Sequence, residues 1–304
     1  MTPDRSVQPS SRPSLFGCGT ALVTPFNRDG SVDEGAVTAL ADWQIEERIH
    51  FLVPCGSTGE AATMTAAEHR RVVELVVRSA RGRVPVVAGA GSNDTARAIE
   101  LSRAMRDAGA TYLLHTSPMY NKPPQRGIVA HYRAIVEAVD LPVIVYNVPG
   151  RTGSNVEART TLELAATRGI AGVKEASGNL QQITDVIRGR PPGFSVLSGD
   201  DELTLSVMAH GGDGIISVIS NAVPRAMADL CDRMRAGDLV GAQEVHFRLL
   251  PLMRAAFLES NPLPIKAAVA MLGRARNVLR LPLVSLAAEH EAAVRAALET
   301  AGAL

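Results

Sequence analysis

Eight short apolar runs, each followed by a segment of helical period, constrain this chain more than any other feature. The runs lie at 19–24, 49–54, 84–89, 110–115, 142–147, 170–174, 194–198 and 213–218. They are continuously apolar rather than alternating, which predicts strands buried on both faces and therefore a parallel sheet covered by helices. Eight such units in succession predict an α/β fold, the (β/α)8 barrel. A doubly wound sheet is the alternative, but no complete G-x-G-x-x-G follows the first strand. Gly89-Ala90-Gly91 after the third strand is a fragment of that pattern and reads as a tight βα turn.

Helix starts are also legible. Ser31 with Glu34, and Thr65 with Glu68, have capping-box spacing. The next helix is expected to start near Asn93 or Asp94 and to stop at Gly109. Further helices fit 127–139, 156–168, 179–189, 201–210 and 223–236. After 236 the alternation ends, and helical periodicity at 239–259, a helix running to about 273 after Asn261-Pro262-Leu263-Pro264, and a last helix near 285–301 suggest a helical appendage. The expected division is a loose polar tail over 1–14, a catalytic barrel over 15–236 and a C-terminal helical domain over 237–304.

Composition closes off several function classes. The formal net charge is zero, so there is no electrostatic case for nucleic acid or an anionic membrane. No apolar run approaches the ~20 residues of a membrane span, and the first fourteen residues lack a signal-peptide apolar core. Cys18, Cys55 and Cys231 are odd in number and widely spaced, which fits reduced thiols in a cytoplasm. The seven histidines show no metal-ligand spacing, so no metal site is expected.

In a (β/α)8 barrel the chemistry sits at the C-terminal ends of the strands. Those ends carry Ser57 and Thr58, then Tyr120, then Tyr146 and Arg151, then Lys174, then Gly199 with Asp200 and Asp201, and finally Ile216 and Ser217. Lys174 is notable because only three of the 31 basic residues are lysines, the others being Lys122 and Lys266. A lysine at a strand end can be an ion-pair partner. It can also be desolvated, lose its proton and act as a nucleophilic amine, which arginine cannot do. A lysine, two tyrosines, hydroxyls and an arginine facing one cavity suit a carbonyl–amine reaction with proton shuttles and an anion clamp. The Gly56-Ser57-Thr58-Gly59 loop offers backbone N–H groups to a carboxylate. No Gly-Lys-Ser/Thr follows it, so it is not a phosphate-binding P-loop.

At these residues the chain resembles the dihydrodipicolinate synthase / N-acetylneuraminate lyase family of Schiff-base aldolases. The resemblance spans nearly the whole chain and rests on GSTGE at 56–60, YNVPGRTG at 146–153, GVKEASGN at 172–179, LSGDD at 197–201 and GGDGIISV at 211–218. It implies a pyruvate-binding lysine at Lys174 and a catalytic tyrosine at Tyr146. Arg151 closes a Y-N-V-P-x-R pattern that, in the family, marks enzymes condensing pyruvate with L-aspartate 4-semialdehyde in lysine and diaminopimelate biosynthesis. Tyr120 matches a tyrosine that crosses a dimer interface into the neighbouring site, and Ser57 matches the hydroxyl linking the two tyrosines. Sialic acid lyases also carry serine there, whereas they usually lack the arginine. Thr58, Gly199 and Ile216 complete the expected substrate-binding set.

The resemblance further implies a covalent pyruvate imine without metal or organic cofactor, and a homotetramer built as a dimer of dimers. Two other readings stay open: an aldolase acting on sialic acid or a 2-keto-3-deoxy sugar acid, and a catalytically silent keto-acid-binding relative. Some family members are inhibited by L-lysine at a dimer-interface site. Asn93 and His69 match that site, but Ala66, Arg97 and Met119 replace a histidine, a glutamate and a tyrosine, so insensitivity to lysine is expected.

Overall fold

Aliphatic runs too short for a helix form the strands, and turn residues set where each one stops. The structure is a computed structural model that describes residues 15–304; the tail expected over 1–14 lies outside them. The strands are β1 (Gly17–Ala21), β2 (Phe51–Val53), β3 (Val87–Gly89), β4 (Tyr112–Thr116), β5 (Val143–Asn147), β6 (Ile170–Glu175), β7 (Ser195–Ser198) and β8 (Gly214–Ser217). All pairs are parallel, and the order is β2-β1-β8-β7-β6-β5-β4-β3. The two ends of that order meet at a parallel bridge between Leu52 and Val86. There Leu52 N donates to Pro85 O at 3.0 Å and Gly89 N donates to Pro54 O at 3.0 Å. The chain is a (β/α)8 barrel.

Closure explains the Gly89-Ala90-Gly91 fragment. A Cβ on Gly89 would lie 2.0 Å from the Cys55 carbonyl oxygen, so only glycine lets β3 approach the β2 loop. Most strands are shorter than their apolar runs, because the flanking residues continue the hydrophobic layer without joining the hydrogen-bonded ladder; β6, which runs one residue past Lys174 to Glu175, is the exception.

Between the strands lie α1 (Glu34–Glu46), α2 (Ala66–Ala80), α3 (Thr95–Asp107), α4 (Gln125–Ala138), the short α5 (Pro149–Thr152), α6 (Ala158–Ala165), α7 (Leu180–Gly189) and α8 (Thr204–Ala209), and α9 (Pro224–Ala236) follows β8. The Thr65–Glu68 capping box forms in full at the start of α2. The Ser31–Glu34 box does not. Ser31 turns its amide and hydroxyl to Asp29 Oδ1, at 3.0 and 2.7 Å, and Val32 is held in a bridge to Phe26. Asp33 caps α1 instead, accepting from Ala36 N at 3.0 Å. Asp94 caps α3, and Gly109 leaves it in the left-handed region at φ 93°.

Three more helices follow: α10 (Leu239–Ala255), α11 (Leu263–Met271) and α12 (Ala288–Thr300). α10 packs on α9 and α12, and α11 packs on α12. The large apolar core between strands and helices continues into them through Val245, Leu249, Val269 and Leu298. A smaller cluster fills the barrel itself, with Phe51, Val53, Leu114, Ile144, Leu197 and Ile216 among its members. Among the described residues no helix is long and apolar enough to cross a membrane.

Candidate active site

Above the plugged barrel, at the C-terminal strand ends, lies a cavity of about 430 Å³ whose wall includes Ser57, Thr58, Tyr146, Arg151, Lys174 and Gly199. Lys174 is the next-to-last residue of β6 and pairs in register with Tyr146 on β5. Its side chain is buried, with 5% of the residue exposed, and Nζ lies 4.2 Å from the centre of the Tyr146 ring. Among the described residues no carboxylate comes within ion-pairing distance of Nζ. Burial therefore dominates and lowers the amine pKa to about 7; the Arg151 charge adds to this, and only the Asp201 carboxylate pulls the other way. This geometry belongs to a neutral amine rather than an ion-pair partner.

Gly199 and Asp201 shape the surroundings of that amine. A Cβ on Gly199 would lie 3.0 Å from Lys174 Cε and 2.7 Å from Ala176 Cβ, so the glycine makes room for the lysine stem. Asp201 is buried and held by Ser217 Oγ at 2.5 Å and Val218 N at 2.9 Å; burial nevertheless raises its pKa to about 6. Burial also raises the Tyr146 phenol to about 12, against the lowering effect of Arg151. The resting phenol is thus protonated and able to donate.

The β2 loop supplies the opposite wall. Gly59 N bonds Gly56 O and Glu60 N bonds Ser57 O, both at 3.1 Å, while the amides of Ser57 and Thr58 make no hydrogen bond among the described residues. Cys55 and Glu60 bracket the loop in left-handed conformations, at φ 57° and 56°. Asn261, between α10 and α11, joins the loop to the arginine: its Nδ2 donates to Thr58 Oγ1 at 2.9 Å, and its carbonyl accepts from Arg151 Nη2 at 3.3 Å. One turn into α11, the fully buried Lys266 donates to Glu60 Oε1 at 2.5 Å and lies 4.2 Å over the Phe26 ring. Burial lowers its pKa to about 8, opposed mainly by Glu60.

Six of the eight residues singled out from the sequence thus share one cavity. Tyr120 does not. It is 88% exposed, its backbone is left-handed at φ 69°, and its amide donates to Thr152 O at 3.2 Å. Ile216 is fully buried, and its side chain packs in the barrel cluster beside Ala21 and Leu197 rather than on the cavity wall. The outer wall also holds Asp200, Glu202, Arg254 and Phe257, and Arg254 Nε donates to Glu202 Oε2 at 3.1 Å. Asn261, Lys266 and Glu60 belong to the site's surroundings without a local motif that marks them. The one available signal was that Lys266 shares with Lys174 the rarity of lysine in an arginine-rich chain. Among the described residues no group of three His, Cys, Asp or Glu side chains could hold a metal ion.

The dihydrodipicolinate synthetase family matches residues 14–301. The chain belongs to that family. A 4-hydroxy-tetrahydrodipicolinate synthase of Maridesulfovibrio salexigens is 49% identical over 287 residues, covering 94% of this chain and 98% of the relative. The crystal structure of the chloride-inhibited dihydrodipicolinate synthase of Acinetobacter baumannii, complexed with pyruvate, is 40% identical with a TM-score of 0.94. It covers 96% of this chain and 100% of that one. A structure described as the first monomeric dihydrodipicolinate synthase variant is 39% identical with a TM-score of 0.94, covering 95% of this chain and 98% of that one. Membership in the dihydrodipicolinate synthetase family accounts for the concentration of YNVPGRTG, GVKEASGN and GSTGE on a single cavity.

Proposed function

We propose that this chain catalyses the 4-hydroxy-tetrahydrodipicolinate synthase reaction, condensing pyruvate with L-aspartate 4-semialdehyde through an imine on Lys174. The observation that carries the reading is the buried Lys174 amine, unpaired by any carboxylate among the described residues and with its pKa lowered to about 7, beside Tyr146 and on the same cavity wall as Arg151. Near-half identity to relatives bearing that activity supports it.

The neutral Lys174 amine attacks the ketone carbon of pyruvate, and loss of water leaves an iminium that withdraws electrons from the methyl group. Removal of a methyl proton gives the enamine, which attacks the aldehyde carbon of the semialdehyde. The semialdehyde amine then attacks the iminium carbon, closing the ring and releasing Lys174. Tyr146 donates and recovers protons in these steps, with Ser57 linking it to Tyr120 of a neighbouring copy. The amides of Ser57 and Thr58 receive the pyruvate carboxylate, with Gly199 beside the bound imine, and Arg151 receives the carboxylate of the semialdehyde. The iminium itself is the electron sink, so the route calls for neither a metal nor an organic cofactor.

The exposure of Tyr120 in the single chain fits a residue that completes a neighbour's site, and we read the assembly as a tetramer of two such dimers. The setting is lysine and diaminopimelate biosynthesis in the cytoplasm, in keeping with three free buried thiols. Pyruvate and aspartate semialdehyde, assayed beside cleavage of N-acetylneuraminate and 2-keto-3-deoxygluconate, test the reading. Condensation without sugar-acid cleavage is expected; cleavage of either sugar acid without condensation overturns it.

A further inference from the structure

Successive residues of a strand face opposite sides of the sheet, so the residues after Tyr146 and Lys174 turn away from the cavity into the layer beneath the helices. These are Asn147 and Glu175, which pair in register as Tyr146 and Lys174 do. Both are polar, yet they are 0% and 1% exposed. Asn147 Nδ2 donates to both carboxylate oxygens of Glu175, at 3.1 and 3.0 Å. Ser177 N donates to Oε1 at 2.8 Å, and Gln182 Nε2 donates to Oε2 at 3.0 Å. Asn147 also grips the segment that leaves α5, accepting from Val156 N at 2.9 Å and donating to Asn155 Oδ1 at 2.8 Å. A buried carboxylate is tolerated only when its lone pairs are filled, and a filled network is rigid.

The β5–β6 ladder is irregular at its other end, where the register shifts between Val143 and Ile144. Beyond the shift, four pairs from Ile144–Gly172 to Asn147–Glu175 are in regular register, and the Asn147–Glu175 side-chain bonds add a second hold at the last of them, next to the pair of Tyr146 and Lys174. A one-residue slip of β6 against β5 would turn Lys174 out of the cavity and away from Tyr146. We propose that Glu175 is a positioning residue of the active site: acting through Asn147, its carboxylate holds the Lys174 amine beside the Tyr146 phenol and ties both to the α5 segment that carries Arg151. The inference rests on the Schiff-base reading above.

Glu175→Gln keeps the size but turns one acceptor into an NH2 group facing the donors of Asn147 and of Ser177 or Gln182. The measurements are the melting temperature, kcat, KM for pyruvate and the rate at which borohydride traps pyruvate on Lys174. The expected result is a folded protein whose kcat and trapping rate fall together by roughly tenfold or more, since sub-ångström misplacement alone costs that much, while KM for pyruvate stays near that of the parent. A lowered melting temperature with kcat and trapping rate unchanged would overturn the proposal, leaving Glu175 a role in stability alone. Asn147→Ala leaves Glu175 bonded to Ser177 and Gln182 and serves as the second variant if Glu175→Gln fails to fold. The same joint fall is expected of it, and unchanged rates overturn the proposal equally. A parent protein that traps no pyruvate would refute the Schiff-base reading instead, so the two failures are distinct.

Discussion

Lys174 and Tyr146 meet across the β5–β6 pair, with the amine 4.2 Å above the phenol ring. The ring face favours a cation, while burial of both side chains favours neutral forms, and for Lys174 burial is the larger effect. Above about pH 7 the pair therefore rests as a neutral amine over a protonated phenol, the state from which the proposed imine formation would start.

The first consequence is a pH dependence. The acid limb of kcat/KM for pyruvate is predicted to inflect near pH 7, where the amine loses its proton. An inflection near the ordinary lysine value of ~10.4 would contradict it. Stability is linked with a definite sign. Between about pH 7 and 10.5 the unfolded chain binds more protons at this lysine than the folded one, so its contribution makes stability rise with pH across that window. Denaturant titrations of the parent and Lys174→Met at pH 7.5 and 9.5 should show that rise in the parent and its loss in the variant.

Gly199→Ala tests the room left for the lysine stem. A Cβ 2.7 Å from Ala176 Cβ and 3.0 Å from Lys174 Cε must displace one of them. We expect trapping of pyruvate to slow by about tenfold or more, with circular dichroism unchanged. An equal trapping rate would show that the stem is free to move.

Arg151→Ala separates the two substrates. Loss of a charge-assisted carboxylate contact worth ~1.5–3 kcal/mol should raise KM for the semialdehyde by about ten- to a hundredfold. Pyruvate should still be trapped on Lys174, with the acid limb moved to higher pH because Arg151 lowers the lysine pKa. A KM increase confined to pyruvate would reassign the arginine.

The Lys266–Glu60 pair gives a stability prediction. Lys266→Met leaves the buried Glu60 carboxylate, among the described residues, with the Arg280 amide at 3.2 Å as its hydrogen-bond donor and should cost about 3–5 kcal/mol. The double variant Glu60→Gln/Lys266→Met should recover most of that loss in urea unfolding. A double variant as unstable as the single one would mean that the amine acts through packing on Phe26 and not through its charge.

The barrel was legible because each strand is buried on both faces and writes an unbroken apolar run, and because chemistry in this fold gathers at strand ends. Lys174, Tyr146 and Arg151 fall in contiguous motifs and could be found locally. Asn261 and Lys266 could not, since their partners Thr58 and Glu60 lie 203 and 206 residues away in sequence. Nor could Glu175, which follows Lys174 directly and has the composition of a solvated strand end until the fold buries it against Asn147. Ser31 does not cap α1 because Asp29, two residues earlier, captures its hydroxyl, a competition between equivalent turn residues that spacing alone does not decide.

Borohydride reduction in the presence of pyruvate, followed by peptide mass spectrometry, tests the central claim most directly. The account predicts one reduced pyruvate adduct per chain, on Lys174. No adduct, or an adduct on Lys122 or Lys266, would contradict it.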